Sequence, residues 1–209
     1  MPITLMKKDF TGKEPLRHRQ IILSVAAELK ENLSEKRFGH TERVRETASE
    51  LADRYGEDIE KAELASLFHD MYREISEDEL EARIDEYHLD KCRYSGNIEL
   101  AHGKIAAAAM RVKYGIEDAD TINAVSFHTT GRAGMSLLEK IIFIADATEP
   151  LRNYPGVENL REILKKDLNR ACMLALRNTI KFLNEKKIRI DRDTLEAEKY
   201  FTELLRENG

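Results

Sequence analysis

The sequence has no tryptophan, and only two cysteines and four prolines among its 209 residues. Cys92 and Cys172 are too few and too far apart for a disulfide framework, and their spacing matches no CxxC metal site. We therefore expect two reduced thiols in a cytoplasmic protein. Aromatic residues make up 7% of the chain and glycines number ten. So few strand formers and so few helix breakers favour helices.

The sequence also lacks a long hydrophobic run and a basic excess. No stretch approaches the roughly 18 apolar residues of a membrane span, and the N-terminus MPITLMKKDF has no signal-peptide core. The formal net charge of −5 argues against a nucleic-acid partner. A small anionic substrate stays open, because a local pocket of Arg and Lys can lie on an acidic protein.

Apolar residues recur at three- and four-residue steps almost throughout the chain. This periodicity predicts an all-α bundle of about eight to ten helices. The expected segments are 15–33, 34–55, from 58, from 76, 98–114, 118–128, 136–149, 167–184 and 193–207. Ser76 with Glu79, and Ser136 with Glu139, have the spacing of capping boxes. We expect one domain over 1–209, with its core at about 15–184; the last helix, 193–207, either packs on it or mediates a homodimer.

Four of the six histidines lie on the apolar faces of four different predicted helices. Each alone is explained as a satisfied core residue. Two carboxylates also fall on apolar faces, and a buried lone charge costs several kcal/mol. Inward faces of a bundle converge, so the set predicts a shared metal site. Imidazole with carboxylate suits Fe, Mn, Co or Zn better than Mg or Ca. The six candidate ligands are His40, His69, Asp70, His102, His128 and Asp146.

The order of these residues resembles the H…HD…H…H…D signature of HD-domain phosphohydrolases. Longer strings resemble one subfamily, the YqeK-type symmetrical dinucleoside tetraphosphatases: HTERVRETASELADRYG, KAELASLFHDMYRE, AHGKIAA, AVSFHTTGRAGMSLLEKIIFIADATEPLR and NYPGVENLR. The similarity covers roughly residues 18 to 180. One position departs from the subfamily, which usually has Lys at the third residue after the HD aspartate, where this chain has Arg73. Because Arg lacks the compact ammonium geometry, substrate preference can differ.

The resemblance implies a two-metal site, with iron as the favoured metal. His40, His69, Asp70 and Asp146 would hold one ion, His102 and His128 the second, and Asp70 would bridge them. It implies hydrolysis of diadenosine tetraphosphate and related dinucleotides to nucleoside diphosphates by a two-metal-activated hydroxide, with Asp70 and Arg73 as catalytic residues. The expected substrate contacts are Arg73, Thr129, Thr130, Arg132, Lys140 and Arg152.

Each of these substrate contacts has a plainer reading. A Lys or Arg is usually a solvated surface charge, and Thr129 and Thr130 would also end a helix before Gly131. Three other functions stay open: another HD-type reaction (a 5'-nucleotidase, a dNTP triphosphohydrolase or a phosphodiesterase), a nucleotide-sensing module, and a helical scaffold with buried His–Asp pairs. The complete ligand set argues against the sensor, and the matched strings argue against the scaffold.

Overall fold

The computed structural model describes residues 14–207, and all regular secondary structure in that range is helical. This confirms the all-α prediction. The helices are α1 (Glu14–Asn32), α2 (Glu35–Tyr55), α3 (Ile59–His69), α4 (Glu77–Glu86), α5 (Lys91–Tyr94), α6 (Ile98–Val112), α7 (Ala119–Phe127), α8 (Leu137–Thr148), α9 (Val157–Leu164), α10 (Leu168–Glu185) and α11 (Arg192–Glu207).

Helix α3 lies at the centre of the bundle. It packs against α1, α2, α6, α7 and α8. Leu64, Ala65, Leu67 and Phe68 are almost completely buried, which is why this helix is apolar nearly all round rather than on one stripe. Because five helices surround α3, the side chains of its last residues lie in the middle of the fold.

Side-chain and glycine caps set most helix ends close to where the sequence predicts them. Asp58 accepts hydrogen bonds from two backbone N–H groups at the start of α3, and Gly56 ends α2 with a left-handed φ of 77°. Ser76 and Ser136 cap α4 and α8 as expected. The glutamates of the two predicted capping boxes pair with other residues: the Glu79 carboxylate accepts from Arg83, and the Glu139 carboxylate accepts from Arg132.

Two helices in the described range, α5 and α9, are absent from the sequence-based segments and bring the number to eleven. Helix α5 is a single turn of four residues. Helix α9 has eight residues, with its buried side chains on one face. Segments this short contain too few repeats for periodicity to separate a helix from a loop.

The C-terminal helices extend the bundle along α8. Helix α10 packs on α8 and α9, and α11 packs on α10. Arg93 on α5 pairs with Asp191 and Asp193, which ties the start of α11 to the N-terminal part of the fold. Within residues 14–207, no helix combines the length and apolarity that crossing a bilayer requires.

Candidate metal centre

The six predicted ligands lie together where five helices meet. His40 is on α2, His102 on α6 and Asp146 on α8, while His69 ends α3 and His128 follows the last residue of α7. Adjacent residues of an ideal helix point about 100° apart, which would separate His69 from its neighbour. Asp70 has already left helical geometry, with φ −108° and ψ 13°. The end of α3 therefore lets both members of the HD pair face the same site.

The ligand atoms form two triplets. One consists of His40, His69 and Asp146, and the other of Asp70, His102 and His128; within each, the ligand atoms lie within 4.8 Å of one another. The Asp70 carboxylate faces both. Its Oδ1 lies 3.2 Å from His102 Nε2, and its Oδ2 lies 3.4 Å from His69 Nε2 and 3.6 Å from His40 Nε2. The Asp70 carboxylate therefore lies close to ligand atoms of both triplets.

All four imidazoles direct Nε2 inward and hydrogen-bond through Nδ1. The Nδ1 atoms of His69, His102 and His128 lie 2.5, 2.8 and 2.7 Å from the backbone oxygens of Ser66, Ile98 and Val125. Since a carbonyl oxygen only accepts, each of these Nδ1 atoms carries a proton, and in the neutral imidazole each Nε2 then has a free lone pair. Outer hydrogen bonds of this kind orient imidazoles that bind metals.

Two observations show that this donor set fits metal ions. His69 Nε2 is fully buried and has no hydrogen-bond partner among the described residues, which normally carries a penalty of about 1–3 kcal/mol. His102 Nε2 and His128 Nε2 are 3.0 Å apart, although both lone pairs point into the gap. A cation held by both nitrogens would bind the two lone pairs and remove their repulsion.

The electrostatics of the cluster favour cations. Burial opposes the ionisation of Asp70, but the neighbouring His69 and His102 hold its pKa well below the usual value. Burial likewise opposes the ionisation of Asp146, while contacts with His40 and Arg152 lower its pKa. Burial, with His102 and His69 nearby, lowers the pKa of His128 to about 3. Two ionised carboxylates beside a neutral imidazole are the forms that bind a metal.

The approach of α6 to α7 depends on a glycine. A Cβ on Gly103 would lie 2.9 Å from His128 Cε1 and 2.9 Å from the Val125 backbone oxygen. Both distances are shorter than a normal van der Waals contact. Gly103 therefore allows His102 and His128 to converge.

Two of the predicted substrate contacts lie at the cluster. Arg152 donates to the Asp146 carboxylate and to the Asp146 backbone oxygen, and its Nη2 is 3.4 Å from His40 Nε2. Thr129 Oγ1 is 3.1 Å from His128 Nε2. Both residues also line a cavity that opens beside the cluster.

The side chains of the other predicted contacts are engaged elsewhere. Arg73 pairs with Glu99, Arg132 with the buried Glu139, and Lys140 with Asn169 on α10. The buried Thr130 hydroxyl donates to the Gly131 backbone oxygen, three residues beyond the end of α7 at Phe127. Their roles as substrate contacts stay predictions.

The structure adds two residues to this site that the sequence reasoning missed. Arg37 Nη1 donates to Asp70 Oδ2 at 2.7 Å. Glu149, only 2% exposed, lies 3.1 Å from His40 Nδ1 and accepts from Arg43 Nε and the Leu151 N–H. Arg37 precedes His40 by three residues and Glu149 follows Asp146 by three. The sequence thus offered one signal for finding both residues, namely a spacing of one helical turn from a candidate ligand.

Comparisons with known proteins agree with this geometry. The family model described as HD domain matches residues 37–151. A Halalkalibacterium halodurans protein named "Bis(5'-nucleosyl)-tetraphosphatase, symmetrical" is 47% identical over 167 residues, which is 80% of this chain and 89% of that protein. A Bacillus subtilis protein of the same name is 39% identical, over 79% of this chain and 89% of that one.

A solved structure shares the fold. It comes from Clostridium acetobutylicum and is described as a "predicted HD superfamily hydrolase involved in NAD metabolism". It superposes with a TM-score of 0.80 at 39% sequence identity, over 86% of this chain and 96% of that one. The fold, the paired ligand triplets and these matches lead to one conclusion: the chain belongs to the HD-domain family, in the branch of the symmetrical bis(5'-nucleosyl)-tetraphosphatases.

Proposed function

We propose that the protein is a metal-dependent hydrolase that cleaves diadenosine tetraphosphate and related dinucleoside polyphosphates symmetrically, releasing nucleoside diphosphates. The observation that supports this most is the convergence of four imidazole Nε2 atoms and two carboxylates beside an open cavity. The relatives that carry the tetraphosphatase name match most of their own length. The reaction breaks one phosphoanhydride bond with water.

The His and Asp groups support the use of divalent metal. As a finer proposal, His40, His69, Asp70 and Asp146 hold one ion, and His102 and His128 hold a second that Asp70 shares. Bound there, the ions supply Lewis-acid activation of water and neutralise charge on the phosphoryl oxygens. Iron is the proposed native metal, and Mn, Co and Zn are the alternatives that suit the same donors.

The chain's own cations hold the polyphosphate. Arg152 is the strongest candidate for a phosphate contact, because its guanidinium lies against the cluster and lines the cavity. Thr129 can donate its hydroxyl to a phosphoryl oxygen from the same side. Arg37, fixed on Asp70, adds positive charge beside the bridging carboxylate. Four other side chains must give up their present hydrogen bonds or ion pairs before they can contact the substrate as proposed. They are those of Arg73, Thr130, Arg132 and Lys140.

The test is turnover of diadenosine tetraphosphate under anaerobic conditions, with ferrous iron and, in parallel, with manganese or cobalt. Chromatography should show ADP as the sole nucleotide product. Asp70→Ala should abolish turnover, whereas Asp53→Ala, which removes an exposed carboxylate from α2, should leave it unchanged. ATP with AMP as products would refute symmetric cleavage. Bound metal by elemental analysis without turnover would refute this substrate and direct the search to mononucleotides.

A cytoplasmic location and a homodimer are further parts of the proposal. The two cysteines are free, one exposed and one buried, as expected in a reducing compartment. Cell fractionation tests the location, and light scattering on the purified protein tests the dimer.

A further inference from the structure

A cavity of about 510 Å³ opens directly beside the candidate metal centre. It lies between α8, the 152–155 segment and α10. One end contains His128, Asp146 and Arg152, which is the end that suits phosphate. The sequence reasoning placed nothing functional on α10, so the opposite wall of this cavity has no role in the site described so far.

That opposite wall is aromatic. Phe143 on α8 is nearly buried, and Tyr154 is held in place by a hydrogen bond from its hydroxyl to the Ala147 backbone oxygen at 2.8 Å. Phe182 on α10 lines the same space, yet its side chain is 54% exposed. A large aromatic ring left in water at a cavity mouth is the kind of surface on which a planar ligand stacks.

One face of α10 presents complementary groups to the cavity. Ala175, Asn178 and Phe182 follow one another at three- and four-residue steps, so they share this face. The small side chain of Ala175 leaves room at the inner end. The Asn178 Nδ2 atom is buried and has no hydrogen-bond partner among residues 14–207. A buried amide nitrogen without a partner is costly, and the half-buried Asn178 side chain borders the cavity. A turn of the amide toward the cavity would let a ligand complete its hydrogen bonds.

We propose that this cavity binds the adenine nucleoside attached to the phosphates at the metal centre, with Phe182 stacking on the base and Asn178 determining base preference. The cavity runs from cationic and metal-binding groups to aromatic ones, as a nucleoside polyphosphate runs from phosphate to base. This inference rests on the proposed function for its substrate class, and it names the part of the substrate that the cluster does not contact.

The chemistry of Asn178 selects adenine. A side-chain amide has one donor and one acceptor side by side, which match the ring-nitrogen acceptor and the amino donor of adenine. Guanine presents two adjacent donors on its Watson–Crick edge, and an acceptor-only carboxylate matches these instead. Asn178→Asp should therefore move the preference from adenine toward guanine without changing side-chain size.

Calorimetry on the metal-loaded protein tests this with ADP, GDP and inorganic pyrophosphate. Asn178→Asp should lower the ADP-to-GDP affinity ratio roughly tenfold to a hundredfold, the discrimination usual for one paired base contact. Phe182→Ala should weaken both nucleotides roughly tenfold to a hundredfold, the usual effect of losing one stacked base, and Phe182→Leu should recover only part of that loss. Pyrophosphate, which has no base, should bind all variants equally.

The matched control is Asn184→Asp, the same change at an exposed position of α10 outside the cavity; it should leave the ratio unchanged. An ADP-to-GDP ratio that Asn178→Asp does not alter, in a protein with wild-type thermal stability, overturns the proposal. So does equal weakening of pyrophosphate and ADP. If the shift appears but diadenosine tetraphosphate is not hydrolysed, the subsite stands and the proposed reaction fails. If hydrolysis occurs with no shift, the reaction stands and the subsite fails.

Discussion

Glu149→Gln should impair the metal centre without touching any ligand. Three donors converge on the Glu149 carboxylate: His40 Nδ1 at 3.1 Å, Arg43 Nε at 2.7 Å and the Leu151 N–H at 2.8 Å. A carboxylate only accepts, so it satisfies all three. Glutamine has the same shape but replaces one oxygen with an NH₂ group. Whichever way the amide turns, a donor faces a donor.

The size of the effect follows from these contacts. If the amide oxygen stays with Arg43, the NH₂ group meets His40 Nδ1, and His40 must move its proton from Nδ1 to Nε2 to accept. The Nε2 lone pair is then lost as a ligand. Loss of a hydrogen-bonding partner beside a metal-binding imidazole typically lowers metal affinity tenfold to a hundredfold. Loss of a buried hydrogen bond to a charged group should reduce the free energy of unfolding by about 1.5–3 kcal/mol.

Metal titration by calorimetry and urea unfolding of the metal-free protein measure the two effects separately. The control is Glu158→Gln, because the Glu158 side chain is 80% exposed in its pair with Arg161. Exposed pairs contribute little, so this variant should match the wild type. Metal affinity within twofold of the wild type in Glu149→Gln would show that Glu149 does not set the His40 tautomer, and the reasoning would be wrong.

Three further predictions follow from the same structure. Gly103→Ala should displace His128, lowering stability by about 1–3 kcal/mol and reducing bound metal by elemental analysis; full metal content would show that α6 and α7 can separate without cost. Saturating metal should raise the free energy of unfolding by about 2.7 kcal/mol at a hundredfold excess over Kd, and equal stabilisation of Asp70→Ala would contradict the assigned ligands. Asp118 caps α7 and pairs with Lys61; although burial opposes its ionisation, the Thr121 hydrogen bonds and Lys61 lower its pKa. Its charge therefore stabilises the fold above the unfolded-state pKa, and this contribution disappears as pH falls through the lowered one. Urea unfolding should show Asp118→Asn less stable than the wild type at neutral pH, with the difference vanishing in acid; a constant difference would contradict the assignment.

Much of the ligand cluster could be read from the sequence because its signal is local. His40, His102 and Asp146 lie on apolar helix faces, and a polar group on such a face must find a partner inside the bundle. The caps at Ser136 and Asp58 could be predicted for the same reason, since each side chain accepts a hydrogen bond from a backbone N–H two or three residues later. Helices α5 and α9 were missed for the opposite reason, as neither is long enough to establish a period.

What only the tertiary structure decided is which partners distant residues find. Arg132 and Arg152 look alike in sequence, yet Arg132 binds the buried Glu139 whereas Arg152 reaches Asp146 and the cavity. Glu149 supports His40 across 109 positions of sequence. Helical periodicity predicts that one face of a helix is buried, but it does not identify the helix against which that face packs. The sequence by itself therefore determined the longer helices and the inward-facing ligands, and the packing of α2, α8 and α10 decided which other side chains surround them.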